Sequence, residues 1–159
     1  MNLPRVARRF ALGAAVLTGA ILIGGCMGLL SGTRPSSLGA NGGSLQPVRT
    51  QLTNAVSSTA TTDYHRIAPL AATPDPKATF ARLRTVVTAM PGASIVESTP
   101  TYLYAEYTTR WLGFVDDVEF LLDEPAGVIQ VRSASRLGRK DFGVNRARIE
   151  AVRERLAAR

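Results

Sequence analysis

Two short segments of this chain carry the charged side chains that are best placed to do chemistry. One contains Asp116, Asp117 and Glu119, and the next contains Arg132 and Arg136. Guanidinium groups pair with carboxylates in a forked geometry, and the same geometry can hold a phosphate or carboxylate ligand. The five side chains therefore predict either an internal ladder of ion pairs or a clamp for an anionic group. We expect the ladder.

A catalytic use of these residues has weaker support. Two carboxylates could supply acid and base for glycoside hydrolysis, but Asp116 and Asp117 are neighbours on a predicted strand and would point to opposite faces. Ser133 and Ser135 could be activated only by His65, the single histidine, which we expect at the surface. A metal bound to the carboxylates would have no His or Cys ligand. We therefore expect no catalytic residue, no metal and no cofactor.

For the acidic and basic segments to meet, they must lie on neighbouring strands. Alternating hydrophobicity predicts strands over 114–122 and 128–136, joined by a hairpin loop at 123–127 that contains Pro and Gly. Two registers are possible. In one, Asp116 faces Ala134, and in the other Glu119 faces Arg132. The sequence leaves this choice open.

The strand pattern extends towards the N-terminus. Four strands are predicted, at 93–97, 101–109, 114–122 and 128–136. In the second, the alternation places Tyr102, Tyr104 and Glu106 on one face and Leu103, Ala105 and Tyr107 on the other. Because the connections are short, neighbouring strands must be antiparallel and form a meander.

An amphipathic helix is predicted on each side of the strands. The first begins with Asp75 as N-cap and Pro76 in its first turn, and Pro91-Gly92 ends it. Its apolar residues, at three- and four-residue spacing, are Phe80, Leu83, Val86, Val87 and Met90. The fold class predicted is α+β, with the four-stranded antiparallel meander flanked by an N-terminal and a C-terminal helix packed on the sheet.

The second helix is predicted to start at Asn145 as N-cap and to run to about residue 158. Its buried residues are Ile149, Val152 and Leu156, and its water-facing residues are Arg148, Glu150, Arg153 and Glu154. The loop before it carries Arg139 and Lys140 between glycines, next to a helix N-terminus. Such a loop could hold a phosphate, although helix capping explains the glycines equally well.

The N-terminus has the layout of a secretory signal. Arg5, Arg8 and Arg9 precede an apolar run that leads to Gly24-Gly25-Cys26, and Cys26 is the only cysteine. This segment resembles the lipobox of bacterial lipoproteins, which implies cleavage before Cys26 and acylation of its thiol. The apolar stretch 10–30 is also long enough for an uncleaved anchor, which stays open.

These signals divide the chain into three parts. We expect a lipoprotein signal peptide at 1–25, a flexible tether at 26–62 and a single α+β domain at 63–159. The tether is predicted because the segment is rich in Gly, Ser, Thr, Asn and Pro and shows no hydrophobic period.

Three ordered blocks in the domain resemble a known family. They are Arg110-Trp111-Leu112-Gly113-Phe114-Val115-Asp116-Asp117-Val118-Glu119-Phe120, Val131-Arg132-Ser133-Ala134-Ser135-Arg136 and Gly143-Val144-Asn145-Arg146-Ala147-Arg148-Ile149-Glu150. They are similar to the domain-of-unknown-function family 1499, over about 67–156. The resemblance implies a bacterial lipoprotein or membrane protein and no known activity. Family members often carry a cysteine pair before the domain, where Val48 and Ala55 stand here.

The function expected is therefore that of a lipid-anchored cell-envelope protein with a non-enzymatic binding or structural domain. Its partners would be the membrane, through Cys26, and an envelope protein, but not nucleic acid. We expect it on the periplasmic side, with the outer membrane favoured because Met27, not Asp, follows the cysteine. The alternatives are a hydrolase or transferase that uses the charged cluster, or a domain that binds a small anion or a lipid. The candidate ligand-binding residues are Arg132, Arg136, Arg139, Lys140, Asp116, Asp117 and Glu119.

Overall fold

The computed structural model of the chain describes residues 28–158. The predicted signal peptide and Cys26 lie outside the described residues. Within the described part of the chain, no helix combines the length and the apolar character needed to span a bilayer.

Within residues 28–158, six strands form one antiparallel sheet. Their bounds are β1 (Ala55–Ser57), β2 (Leu70–Ala71), β3 (Ala93–Ser98), β4 (Tyr102–Thr108), β5 (Val115–Asp123) and β6 (Val128–Ser135). The strand order is β1-β6-β5-β4-β3, and β2 pairs with the same edge of β6 as β1. The α+β class is confirmed, and the sheet is larger than the predicted meander, which corresponds to β3–β6.

Helix α1 (Pro76–Thr88) forms as its sequence predicts. The Asp75 carboxylate accepts a hydrogen bond from the Ala78 N–H at 3.0 Å, which satisfies one of the free amides of the first turn. Phe80, Leu83 and Val87 are buried on one side of the helix.

Helix α2 (Val144–Ala157) begins differently from the prediction. Gly143 is the N-cap, with a φ of 85° that favours glycine, and Asn145 lies inside the helix and is buried. The free amides are satisfied by Asp141, whose carboxylate accepts hydrogen bonds from the N–H groups of Gly143 and Asn145. The side chain of Asn145 is thereby free to bond into the sheet.

Both helices pack on one face of the sheet, which we call the helix face. Apolar side chains from β4, β5 and β6 alternate onto this face and meet the buried sides of α1 and α2. The fully buried residues of this core include Leu83, Leu103, Ala105, Val118, Phe120, Ile129, Val131, Ile149 and Val152.

The opposite face of the sheet, the outer face, is covered by the segment 33–54. Leu45 packs against Tyr102, Tyr104 and Leu121, and Val48 is also buried. This differs from the predicted tether at 26–62. The sequence did not reveal this cover because its apolar residues pack singly on the sheet and therefore show no hydrophobic period. Strand β1, with three residues, is too short to show a period either.

Candidate functional site

The strand register decides how the charged side chains are arranged. In the β5–β6 pair, Glu119 lies opposite Arg132 and Asp117 opposite Ala134, so the second of the two registers is the one adopted. Asp123 then pairs with Val128, and the hairpin loop is shorter by one residue than predicted. Asp117 and Glu119 point to the outer face, whereas Asp116 points to the helix face.

Arg136 is the centre of the outer-face cluster. Its Nε donates to both carboxylate oxygens of Asp117, at 3.1 and 3.0 Å, and its Nη2 donates to Oδ1 at 2.7 Å. The same Nη2 also pairs with Glu106 and with the hydroxyl of Tyr104. The side chains of Arg136 and Asp117 are only 6% and 2% exposed, so this is a buried ion pair joined by three hydrogen bonds.

Glu119 is completely buried and accepts three hydrogen bonds. They come from Arg132 Nη1 at 2.9 Å, from the Tyr102 hydroxyl at 2.8 Å and from the backbone N–H of Gly39 at 2.8 Å. Gly39 belongs to the segment that covers the outer face, so Glu119 also fastens this segment to the sheet.

Three hydroxyl and carboxyl groups of the cluster have shifted pKa values. Burial, together with the neighbouring Glu119, raises the pKa of Tyr102, and burial together with Asp117 raises that of Tyr104. Burial alone would raise the pKa of Glu106, but hydrogen bonds from Arg136, Arg34 and Tyr104 hold it below its usual value. At neutral pH the tyrosines are therefore donors and Glu106 is a carboxylate.

On the helix face, Asp116 pairs with Arg148 of α2. The Arg148 guanidinium also donates to Ser133 at 3.1 Å and lies 4.7 Å from the centre of the Tyr107 ring. Arg148 was predicted to face water, and that prediction is wrong. A buried carboxylate on the facing strand draws it inward, which helical periodicity alone cannot reveal.

Asn145 completes this network. Its amide donates to the backbone oxygen of Asn54 in the covering segment, at 3.1 Å, and to Ser135 Oγ at 3.0 Å. Its own oxygen accepts from the hydroxyl of Ser133. One side chain of α2 thus joins the helix, β6 and the covering segment.

Arg139 and Lys140 are not brought into the cluster. Both side chains are exposed in the loop after β6, and only their backbone takes part in contacts, with Thr53. Among the described residues, neither side chain has a carboxylate partner.

Sequence reasoning missed several members of the cluster. Glu106 and Tyr104 lie on β4, on the face that the alternation predicted, but their proximity to Arg136 depends on the pairing of β4 with β5. Arg34 reaches Glu106 with its Nε at 2.7 Å, from a segment predicted to be a flexible tether. No sequence signal indicated that contact.

A cleft of about 390 Å³ separates the covering segment from β6. Of the residues that the structure describes, four arginines line it, namely Arg34, Arg49, Arg132 and Arg136, with Asp117 as the one carboxylate. Arg49 is exposed and pairs with no carboxylate of the described chain. The Nε–H of Arg132 is buried and has no hydrogen-bond partner within residues 28–158. In the described chain, Arg49 thus has no carboxylate partner and Arg132 has one N–H without an acceptor, so the cleft suits an anionic group.

The groups that catalysis would need are engaged elsewhere. His65 is buried, not at the surface as predicted, and its Nε2–H donates to the backbone oxygen of Leu52 at 2.7 Å. Its Nδ1 is bonded to Thr62, so it activates neither Ser133 nor Ser135. In the part of the chain that the structure describes, no three His, Cys, Asp or Glu side chains form a cluster that could hold a metal.

Comparison with known families finds a match over most of the chain. A family model described as "Protein of unknown function (DUF1499)" matches residues 45–156. The chain belongs to the DUF1499 family. Comparison with curated proteins gives no significant match, and comparison with solved structures gives none either. The DUF1499 match begins at Leu45, the first buried residue of the covering segment, so it includes residues 45–54 of that segment.

Proposed function

We propose that this DUF1499 chain is a lipid-anchored protein of the bacterial cell envelope whose domain is a non-enzymatic binding module. The charged head, the short apolar run and Gly24-Gly25-Cys26 support the lipid anchor. Met27 supports the outer membrane over the inner membrane, with the domain on the periplasmic side.

The non-enzymatic part of the proposal rests on one observation, the complete pairing of the cluster's carboxylates. Asp116, Asp117 and Glu119 each bond to an arginine, and each pair is largely buried. A hydrolase or transferase would need a carboxylate free to give or take a proton, whereas these three are occupied by guanidinium groups. A lipid carrier would need an apolar cavity between helices and sheet, where a continuous cluster of buried side chains lies instead.

The ligand that the cleft suits best is a small anionic group, a carboxylate or a phosphate. Arg34, Arg132 and Arg136 are balanced by Glu106, Glu119 and Asp117, so these six charges cancel. Arg49 is the additional charge, and the free Nε–H of Arg132 is the additional buried donor. If an envelope protein is the partner, its acidic side chain or C-terminal carboxylate could supply the anion.

Thermal unfolding of the full chain with and without phosphate or glutamate, at equal ionic strength, tests the ligand class. We expect either anion to raise the unfolding temperature of the wild type and to have little effect on Arg49→Gln. The matched control is Arg84→Gln, an exposed arginine on α1 away from the cleft, which should respond like the wild type. An equal response of all three proteins would contradict anion binding at the cleft.

Metabolic labelling with a fatty-acid probe tests the anchor. The wild type should incorporate the probe, whereas Cys26→Ala should not and should accumulate as an uncleaved or slowly processed precursor. Continued labelling of Cys26→Ala would refute acylation at this residue. Recovery of the wild type in the inner-membrane fraction would contradict the outer-membrane placement.

A further inference from the structure

Exposed apolar side chains are concentrated at one end of the sheet. The β4–β5 loop (109–114) and the β6–α2 loop (136–143) lie side by side there, because Tyr107 pairs with Asp116 and Asp116 with Ser135. Trp111 is 65% exposed and Phe142 is 93% exposed. Leu137, in the second loop, and Val144, which follows it, are exposed as well. We call these two loops the loop end of the domain.

Phe142 combines an exposed side chain with an unfavourable backbone conformation. Its φ is 53°, in the left-handed region that bulky residues rarely adopt. Such a conformation is unfavourable for a bulky side chain and is typical of sites under functional constraint. In this conformation the aromatic ring of Phe142 is almost fully exposed, which is typical of a surface that another molecule or a membrane covers.

The loop end is also basic. Arg110, Arg139 and Lys140 are exposed on it, and Arg110 lies over the ring of Trp111 at 4.9 Å. The acidic residue of these loops, Asp141, turns inward to the N–H groups that start α2. The hairpin at the opposite end of the sheet carries Asp123 and Glu124 instead. Aromatic residues beside arginine and lysine are the composition of surfaces that lie at the boundary between lipid headgroups and acyl chains.

The chain also leaves the domain at the loop end. A Cβ on Gly32 would lie 2.9 Å from Cβ of Arg136 and 3.1 Å from Cγ of Leu137, so Gly32 packs directly on the start of the second loop. The six residue steps from Gly32 back to Cys26 can span at most about 20 Å. An acyl group on Cys26 would therefore hold this end close to the bilayer.

From these observations we propose that the loop end is a membrane-docking surface. Trp111 and Phe142 enter the boundary between headgroups and acyl chains, and Arg110, Arg139 and Lys140 contact anionic headgroups. The inference rests on the proposed lipid anchor, which supplies the proximity, while the loop end supplies the orientation.

Trp111 is the only tryptophan of the chain, so its fluorescence reports on the loop end alone. The experiment reconstitutes the full chain, extracted from membranes, into vesicles of phosphatidylethanolamine and phosphatidylglycerol with or without brominated acyl chains. We expect brominated lipid to reduce Trp111 emission about twofold, because the ring lies near the acyl chains. The matched control is Trp111→Phe combined with Ala126→Trp, which moves the tryptophan to the exposed hairpin at the opposite end. Its emission should not change.

The outcomes separate the docking surface from the anchor. Vesicle flotation without quenching of Trp111, or equal quenching of the control, overturns the docking surface and leaves the anchor intact. Loss of flotation overturns both. A second variant, Arg139→Gln with Lys140→Gln, should show less quenching than the wild type, and vesicles without phosphatidylglycerol should remove that difference. Equal quenching of this variant and the wild type in the anionic vesicles would contradict the role of the two cations.

Discussion

Replacing Arg136 by methionine tests whether the outer-face cluster is structural. The substitution keeps most of the side-chain volume and removes the charge. It leaves Asp117, which is 2% exposed, with the Tyr104 hydroxyl as its remaining side-chain donor in the described chain. Glu106 keeps Arg34, so the loss is concentrated on Asp117.

The magnitude follows from the geometry of the pair. Two unit charges about 4 Å apart attract each other by about 4 kcal/mol at an effective dielectric constant of about 20. Measured losses on breaking a buried ion pair, about 3–5 kcal/mol, agree with this figure. Since typical domains unfold at a cost of about 5–15 kcal/mol, Arg136→Met should remove a large part of the stability.

Urea unfolding of the full chain in detergent measures this loss, and a double-mutant cycle with Asp117→Asn isolates the pair. The double variant should be less destabilised than the sum of the two single variants, by about 1–3 kcal/mol. Arg84→Met, an exposed arginine of α1, is the matched control and should change the free energy of unfolding by less than about 0.5 kcal/mol. If Arg136→Met behaved like this control, the cluster would not be structural, and Arg136 would instead be available to a ligand.

Three further predictions concern pH and backbone geometry. Because the pKa of Glu106 is held below its ordinary 4.5, its contribution to the free energy of unfolding is present above that pH and is lost as the pH falls through the folded-state pKa. In acid unfolding, Glu106→Gln should therefore lose less stability over this pH range than the wild type. Because burial raises the pKa of Tyr107 from 10.0 to about 12, its contribution to the free energy of unfolding is complete below pH 10 and declines as the pH rises from 10 through 12. In alkaline unfolding monitored by phenolate absorbance, Tyr107→Phe should lose stability less steeply with pH than the wild type. Gly92→Ala would place a Cβ 2.5 Å from the backbone oxygen of Thr108, whereas Gly43→Ala, at a similar positive φ, would meet nothing within 4 Å. Denaturant unfolding should show Gly92→Ala less stable than Gly43→Ala by about 1–3 kcal/mol, and equal stabilities would contradict the clash.

The sequence predicted the elements that carry a strong period. The spacing of apolar residues, together with capping residues and turn-forming Pro and Gly, predicted three features. They are helix α1 with its Asp75 cap, the strands β3–β6 and the buried side of α2. The alternation along β4 also placed Tyr104 and Glu106 on the correct face. These features depend on local backbone geometry, which neighbouring residues determine.

What the sequence could not reveal depends on contacts between distant segments. The choice between two β5–β6 registers was settled by pairing throughout the sheet, which sets Glu119 opposite Arg132. The covering segment shows no hydrophobic period because Leu45 and Val48 pack on the sheet as single residues. The inward position of Arg148 depends on its ion pair with Asp116 of β5. The same long-range origin explains why Arg49, the cleft's additional cation, was not a candidate.

Native mass spectrometry of the protein released from membranes in detergent tests both the lipid anchor and the binding of an anion by the domain. We expect a chain that starts at Cys26 and carries covalent acyl groups. We also expect a small non-covalent anionic adduct that Arg49→Gln loses and Arg84→Gln keeps. A mass equal to the unprocessed, unmodified chain would contradict the anchor, and an adduct held equally by all three proteins would contradict the binding cleft.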